Sequence, residues 1–396
     1  MFTLILEAVL GGFAALLAVP ISIFSLEVAA AVSRRRIGFT ASGSRPSVAI
    51  LIPAHNEEAG ICATLRSIAP QLAACDRLVV IADNCSDATA SVAQTEGAEV
   101  VSRTNLEKRG KGFALDFGLQ HLKFNPPDIV IMVDADCQVT ANAIDHLART
   151  CAAHQRPVQA QYLMRNVTQA RLKMRVAEFA WIVKNLVRPL GLAKLHLPCQ
   201  LMGSGMAFTW SSISRMDLAN ADIVEDMAMG LELARAGAAP IFCPQALVLS
   251  SFPTQEEGIK NQRTRWEHGH LATILRESPG MLLQGVRERD VDLIALALDL
   301  CVPPLALLVL QVAATFLAAA AFYVLTGYRA PLLIIGSAAL LFGFAVLTAW
   351  WAQGRRIVSF SDLLSACTYP LWKIPVYLQF IFSRQSEWVR SKRDKE

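Results

Sequence analysis

Three long stretches without a charged residue constrain this chain more than any other feature. They cover residues 8–26, 300–327 and 330–353, which is 19, 28 and 24 residues. A helix needs about 20 apolar residues to cross a hydrocarbon core of about 30 Å, so each run is long enough to span a membrane. The competing reading is a buried core helix. The runs are long for that, and they lie outside the part of the chain where strands and helices alternate. The 396-residue chain is 54% hydrophobic and only 18% charged, greasier than an ordinary soluble enzyme, and these runs hold the excess.

The first run is not a secretory signal. No Lys or Arg precedes it, and Arg34-Arg35-Arg36 follows it, the reverse of a signal peptide's basic start. The positive-inside bias then keeps those arginines cytoplasmic. The N-terminus is expected outside, and the polar segment 45–290 in the cytoplasm. The second and third runs form a hairpin with Tyr328-Arg329 outside, and the chain returns at Arg355-Arg356. A fourth greasy stretch, "LLSACTYPLWKIPVYLQFIF" at 363–382, is interrupted by Pro370, Lys373 and Pro375. Spanning would strand the basic tail outside, so the reading is a re-entrant or interfacial amphipathic segment. The expected organisation is a transmembrane helix at 1–33, a cytoplasmic domain at 45–290, a transmembrane hairpin at 291–354, and the interfacial segment with its tail at 355–396. The expected location is the inner, cytoplasmic membrane, multi-pass.

Nine cysteines without a CxxC pair fit reduced, apolar filler residues in a cytoplasmic domain. The net charge of +4 comes with basic clusters beside the membrane runs, which suits a membrane surface and calls for no nucleic acid. There is no G-x-x-x-x-G-K-[ST] loop.

Between the membrane runs the pattern is α/β. "SVAILIPAHNEE", "RLVVIAD", "EVVSR" and "DIVIMVD" read as strands, separated by helical spacing in "AGICATLRSIA", "NCSDATASVAQTEGA" and "GFALDFGLQHL". Such alternation implies a doubly wound, mostly parallel sheet. Ligands bind such sheets outside the C-terminal strand ends. Pro53, Asn56, Glu57, Asp83, Asp134 and Asp136 all fall at such ends.

Two carboxylates at i and i+2 suit a hard cation such as Mg²⁺ or Mn²⁺ sharing its shell with phosphate. On its own the Asp134-x-Asp136 pair is weak, and a polar turn competes with it. The nearby "KRGKG", with Lys108, Arg109 and Lys111, supplies cations for a phosphate, or else is a solvated basic loop. Glu225 and Asp226 open a helical run, where acids also favour the helix dipole. "NQRTRWEHGH" offers Trp266 as a stacking face and Arg265 as a phosphate partner. His268-x-His270 lacks any zinc-like partner pair.

Taken in order, Pro53-x-x-Asn56-Glu57, Asp83, Asp134-x-Asp136, Glu225-Asp226 and Gln262-x-x-Arg265-Trp266 resemble the family 2 glycosyltransferases with a GT-A fold. The nearer likeness is to the membrane-embedded branch with the D, DxD, ED, QxxRW pattern: cellulose, chitin and hyaluronan synthases and the ceramide glucosyltransferases. It covers roughly residues 46–275. The resemblance implies that Asp83 binds the nucleotide base, with Pro53, Asn56 and Glu57 lining the same pocket. It implies that Asp134 and Asp136 hold the donor diphosphate through Mg²⁺ or Mn²⁺, with Lys111 touching that diphosphate. Asp226 would be the general base, with Glu225 beside it in the catalytic pair. Gln262, Arg265 and Trp266 would hold the leaving diphosphate and the acceptor end, and Gly203, Ser204 and Gly205 would line the acceptor site.

The implied function is metal-dependent, inverting transfer of a sugar from a nucleotide sugar, UDP-linked by the subfamily, at the cytoplasmic membrane face. One base and no second carboxylate nucleophile give single displacement, and a β linkage from an α-linked donor. Three spans are few for a synthase that extrudes its own polymer. The expected acceptor is therefore lipid-linked or a polysaccharide, in glycolipid or exopolysaccharide synthesis. Processive synthesis through an oligomeric pore, partner subunits or a homo-oligomer, a non-catalytic membrane scaffold and a nucleotidyltransferase stay open as alternatives.

Overall fold

The computed structural model describes residues 1–35, 37–38, 44–166, 171–219, 224–253 and 256–383. Arg36 and the basic tail lie outside the described residues. The described residues fall into two compact units: those within 37–166 and 196–269 make one, and those within 1–35, 171–195 and 270–383 the other.

The first unit is built on one eight-stranded sheet. Its strands are β1 (Val48–Ala54), β2 (Arg77–Asp83), β3 (Glu99–Arg103), β4 (Ile129–Met132), β5 (Gln138–Val139), β6 (Val158–Arg165), β7 (Met206–Thr209) and β8 (Ile241–Ser251). The spatial order is β3-β2-β1-β4-β7-β6-β8-β5. The first four strands run parallel, as the alternating pattern predicts. Their connections contain the helices Ile61–Ile68, Thr89–Thr95 and Lys111–Leu122. β1 and β4 are almost wholly buried, which accounts for their continuous apolar sequences. The helix Lys111–Leu122 lies close on the sheet at Gly118, where a Cβ would come within 2.9 Å of Ile81. Beyond β4 the sheet is mixed. β7 is antiparallel to both β4 and β6, while β6 and β8 are parallel.

Parallel pairing puts the C-terminal ends of β1, β2 and β4 along one edge. Residues 53–57, Asp83 and Asp134–Asp136 follow from those ends, so the topology alone gathers them.

The second unit is helical. Among the described residues it contains three helices long and apolar enough to cross a membrane: Phe2–Val32, Leu305–Thr326 and Ala330–Gly354. The first packs on the third, with the Phe24 and Phe342 rings 5.5 Å apart. The loop between the second and third starts at Gly327, whose φ of +80° lets its N–H cap Tyr323 at 2.8 Å. Residues 363–382 are broken into the helices Phe360–Ser365 and Ile374–Phe382 around a 3₁₀ stretch, Ala366–Lys373. Pro370 and Pro375 explain the breaks. This stretch meets the helix Leu172–Ile182 through Arg175–Asp362 at 2.7 Å and through Lys173 over the Trp372 ring.

The unit boundaries differ from the segments read along the sequence. Residues 171–195 and 270–290, expected in the 45–290 domain, group with the helices. The cause is specific packing: the helix Arg188–Lys194 lies so close to the first helix that a Cβ on Gly191 would sit 1.9 Å from the Glu27 carbonyl oxygen.

Candidate active site

The loops after β1 and β2 are stitched into one wall. Asn56 and Asn84 both adopt left-handed backbone, with φ of 55° and 54°. The Asn56 Oδ1 accepts from the Ser86 N–H at 2.8 Å, the Glu57 N–H donates to Thr89 Oγ1 at 2.7 Å, and His55 Nδ1 lies 2.7 Å from the Asp83 carbonyl. Pro53, Asn56, Glu57 and Asp83 are therefore neighbours, as expected. Asp83 is buried, and its Oδ1 already takes Arg103 at 2.5 Å and Asn84 Nδ2 at 3.0 Å. Arg103 was not singled out in the sequence, although it ends the predicted third strand and pairs in register with Asp83.

Asp134 follows β4 directly. Its N–H donates to Ser204 Oγ at 3.0 Å, and its Oδ1 lies 2.5 Å from Lys111 Nζ. Burial raises the Asp134 pKa, with Lys111 opposing and the like charge of Asp136 adding to the rise. Burial would lower the pKa of Lys111, but Asp134 and then Glu225 hold it above its usual range, so the ammonium persists. Of the three cations in "KRGKG", Lys111 is the one tied to the acids; Lys108 and Arg109 are exposed, and Arg109 Nε donates to the Leu106 carbonyl at 2.8 Å.

Ligand atoms of Asp134, Asp136 and Cys137 lie within 4.8 Å of one another. Two carboxylates at this spacing suit a hard divalent cation. Cys137 is fully buried, its Sγ accepts from the Ser204 hydroxyl at 3.3 Å, and burial followed by the neighbouring carboxylates pushes its thiol up, which leaves the two carboxylates as the harder ligands.

The loop from Met202 to Gly205 is held from behind by Gln159, which is 0% exposed. Gln159 Nε2 donates to the Ser204 carbonyl at 2.9 Å, and its Oε1 accepts from the Met202 N–H at 2.7 Å. Gly203 and Gly205 both have positive φ, of 96° and 69°. A Cβ on Gly203 would lie 3.3 Å from Asp226 Oδ2, so of the three loop residues this glycine is the one that faces Asp226. Ser204 is fully buried, its hydroxyl engaged between the Asp134 N–H and Cys137 Sγ, so it positions the metal motif. Gly205 is required by packing, since a Cβ there would come within 2.7 Å of Val248 and 2.8 Å of Ala160.

Glu225 and Asp226 open the helix Glu225–Arg235, where its dipole favours them. The two carboxylates differ in setting. Glu225 borders a small cavity of about 30 Å³ shared with Leu115, Asp217, Met229 and Glu232. Its pKa is pushed up to about 7 by burial first, with Lys111 opposing and Asp226 adding to the rise. An unfolded glutamate titrates near ~4.3. The folded state therefore binds this proton more tightly, and the stability it adds is complete below the unfolded value and lost as pH rises through about 7. Glu225→Gln carries no such proton. Its melting temperature, relative to wild type, should improve between about pH 5 and about pH 8. A difference that does not change with pH would remove this assignment.

Gln262, Arg265 and Trp266 lie on the helix Glu256–Glu288 at i, i+3 and i+4, hence on one face. The helix comes close to the acids because residue 269 is glycine: a Cβ there would lie 2.6 Å from Val224 Cγ1, just before Glu225. Burial lowers the Arg265 pKa, while Glu225, Asp134 and Asp226 act against that. Its Nε is buried without a hydrogen-bond partner among the described residues, a donor suited to an anionic ligand.

The model for the family described as glycosyltransferase-like family 2 matches residues 46–269. The probable glycosyltransferase YdaM of Bacillus subtilis (strain 168) is 24% identical over 246 residues, 58% of this chain and 57% of that protein. The match thus spans little more than half the length of that relative. Among solved structures, the mannosyltransferase PcManGT from Pyrobaculum calidifontis, in complex with GDP-Man and Mn²⁺, aligns over 95% of this chain and all of its own with a TM-score of 0.60 and 16% identity. That likeness is one of fold.

Proposed function

We propose that this chain, which belongs to glycosyltransferase family 2, moves a sugar from a nucleoside-diphosphate sugar to a hydroxyl of a lipid-linked or polysaccharide acceptor at the cytoplasmic face of a membrane. The observation that carries the reading is the meeting of Lys111, Asp134, Gly203, Glu225, Asp226 and Arg265 at the C-terminal edge of the sheet.

Asp134 and Asp136 would hold Mg²⁺ or Mn²⁺, which supplies positive charge to the diphosphate as it leaves. PcManGT, the fold neighbour, was solved with Mn²⁺ and GDP-Man. The chain's own residues do the rest. Arg265 lies close enough to Glu225, Asp134 and Asp226 to feel their charges, and its Nε, without a hydrogen-bond partner among the described residues, can bond a phosphate oxygen. Lys111 offers a second cation beside Asp134. Asp226 faces the Gly203 loop and takes the proton of the acceptor hydroxyl as it attacks. No second carboxylate is assigned as a nucleophile, so the displacement is single and inverts the anomeric centre. An α-linked donor then gives a β-glycoside. Asp83, with its Oδ1 engaged by Arg103, presents its other oxygen to a base N–H. Uracil and guanine both carry such a group, so the donor panel must include both nucleotides.

The three apolar helices support a membrane-bound enzyme, and the arginines at 34–36 and 355–356 support a cytoplasmic catalytic domain. The three apolar helices among the described residues are few for a polymer channel within one chain, which favours a lipid-linked acceptor. The test is incubation of membranes with radiolabelled UDP- and GDP-sugars plus Mn²⁺ or Mg²⁺. Label from one donor should enter a lipid extract with release of the nucleoside diphosphate, and Asp134→Ala should reduce it by at least about a hundredfold. A long, non-extractable product would instead mark processive synthesis. Pyrophosphate release would mark a nucleotidyltransferase, and no transfer from any donor a scaffold.

A further inference from the structure

The ammonium of Lys111 sits where the metal and the donor both have a claim. Its Nζ lies 2.5 Å from Asp134 Oδ1 and 2.7 Å from the Gly203 carbonyl oxygen. Both side chains are largely sheltered, at 20% and 26% exposure. Asp134 is the carboxylate directly after β4, next to Asp136, the other acid of the metal motif. A divalent cation on Asp134 would sit beside a positive charge already bonded to the same carboxylate. The two charges repel, and more strongly in a sheltered site than in water.

We infer that Lys111 is a resident cation on Asp134, and that the donor diphosphate, by drawing Lys111 away, opens this carboxylate to the divalent metal. Lys111 stands at the first position of the helix Lys111–Leu122, after Gly110, whose φ of +128° sets the turn into it. A diphosphate placed there meets the N-terminal end of the helix dipole together with the ammonium. Moving Lys111 from one anion to another keeps it paired throughout, whereas metal binding alone would leave it facing a positive charge. Metal and nucleotide therefore bind cooperatively, each favouring the other by the same factor. Lys111 thus acts on metal binding as a positioning residue, and sets the order in which the site fills. This inference rests on the proposed metal-dependent transfer.

The test measures Mn²⁺ binding to the full chain in detergent by the loss of the free-ion paramagnetic resonance signal, with no turnover involved. Wild type should bind Mn²⁺ weakly alone and at least about tenfold more tightly with UDP or GDP. Lys111→Met should bind Mn²⁺ alone at least about tenfold more tightly than wild type, with a smaller gain on adding nucleotide. Lys111→Gln, which keeps a hydrogen-bond donor for the Gly203 carbonyl, should behave like Lys111→Met and guards against a collapsed loop. If both variants bind Mn²⁺ alone no more tightly than wild type, the resident-cation role is overturned, while the metal site itself stands if Asp134→Asn abolishes Mn²⁺ binding. If no form binds Mn²⁺ even with nucleotide, the metal reading fails and takes this inference with it.

Discussion

Asparagine in place of Asp226 should slow sugar transfer by about 10²–10⁴-fold, the usual contribution of a positioned base. Binding of Mn²⁺ with nucleotide should be nearly unchanged. The substitution keeps the size of the side chain and removes the ability to accept a proton. Asp226 is preferred to Glu225 on geometry: its Oδ2 faces the Gly203 loop, 3.3 Å from the point a Cβ there would occupy, whereas Glu225 lines a small cavity with Leu115, Asp217, Met229 and Glu232. Radiolabel transfer by Asp226→Asn and Glu225→Gln membranes, read side by side, decides the matter. A near-normal rate for Asp226→Asn with a dead Glu225→Gln would exchange their roles.

The acids are legible in the sequence because of the parallel half of the sheet. A strand–helix–parallel strand crossover is almost always right-handed and brings the C-terminal ends of its strands to the same edge. Residues ending β1, β2 and β4 are therefore neighbours whatever the details. Asp134 and Asp136 needed nothing more. Gln159 was invisible because it sits in "VQAQYLMR", where alternating polar residues read as a solvent face, yet it is wholly buried. Its task depends on β7 entering antiparallel between β4 and β6, a pairing between segments far apart in sequence. Arg103 was concealed differently. Its pairing with Asp83 depends on the register between β2 and β3, which neither strand's sequence shows alone. The helix Arg188–Lys194 has no long uncharged run, so hydropathy alone could not assign it to the helical unit. What places it there is a glycine fitted to one carbonyl and an arginine fitted to two acids.

Those acids make Arg188→Ala the substitution with the largest expected cost in stability. Arg188 Nε donates to Glu27 Oε2 at 2.6 Å, and Nη2 donates to the Asp299 carboxylate at 2.5 Å and to its carbonyl oxygen at 2.7 Å. Arg188, Glu27 and Asp299 are 5%, 1% and 4% exposed. They tie together the first apolar helix, the helix Arg188–Lys194 and the helix Val291–Leu300, segments distant in the chain. Truncating the arginine leaves two buried carboxylates without their cation, and among the described residues Glu27 Oε1 already lacks a hydrogen-bond partner. Breaking one side of such a group costs about 3–5 kcal/mol. In detergent the melting temperature of Arg188→Ala should fall by on the order of 10 °C, with the helical unit the first to open. The triple change Glu27→Gln, Arg188→Met and Asp299→Asn removes all the charges together and should recover most of that loss, because uncharged groups of similar shape replace a buried ionic set at little cost. Wild-type melting by Arg188→Ala would show that the triad is not what joins these helices. Failure of the triple change to recover would show that the hydrogen bonds matter more here than the charges.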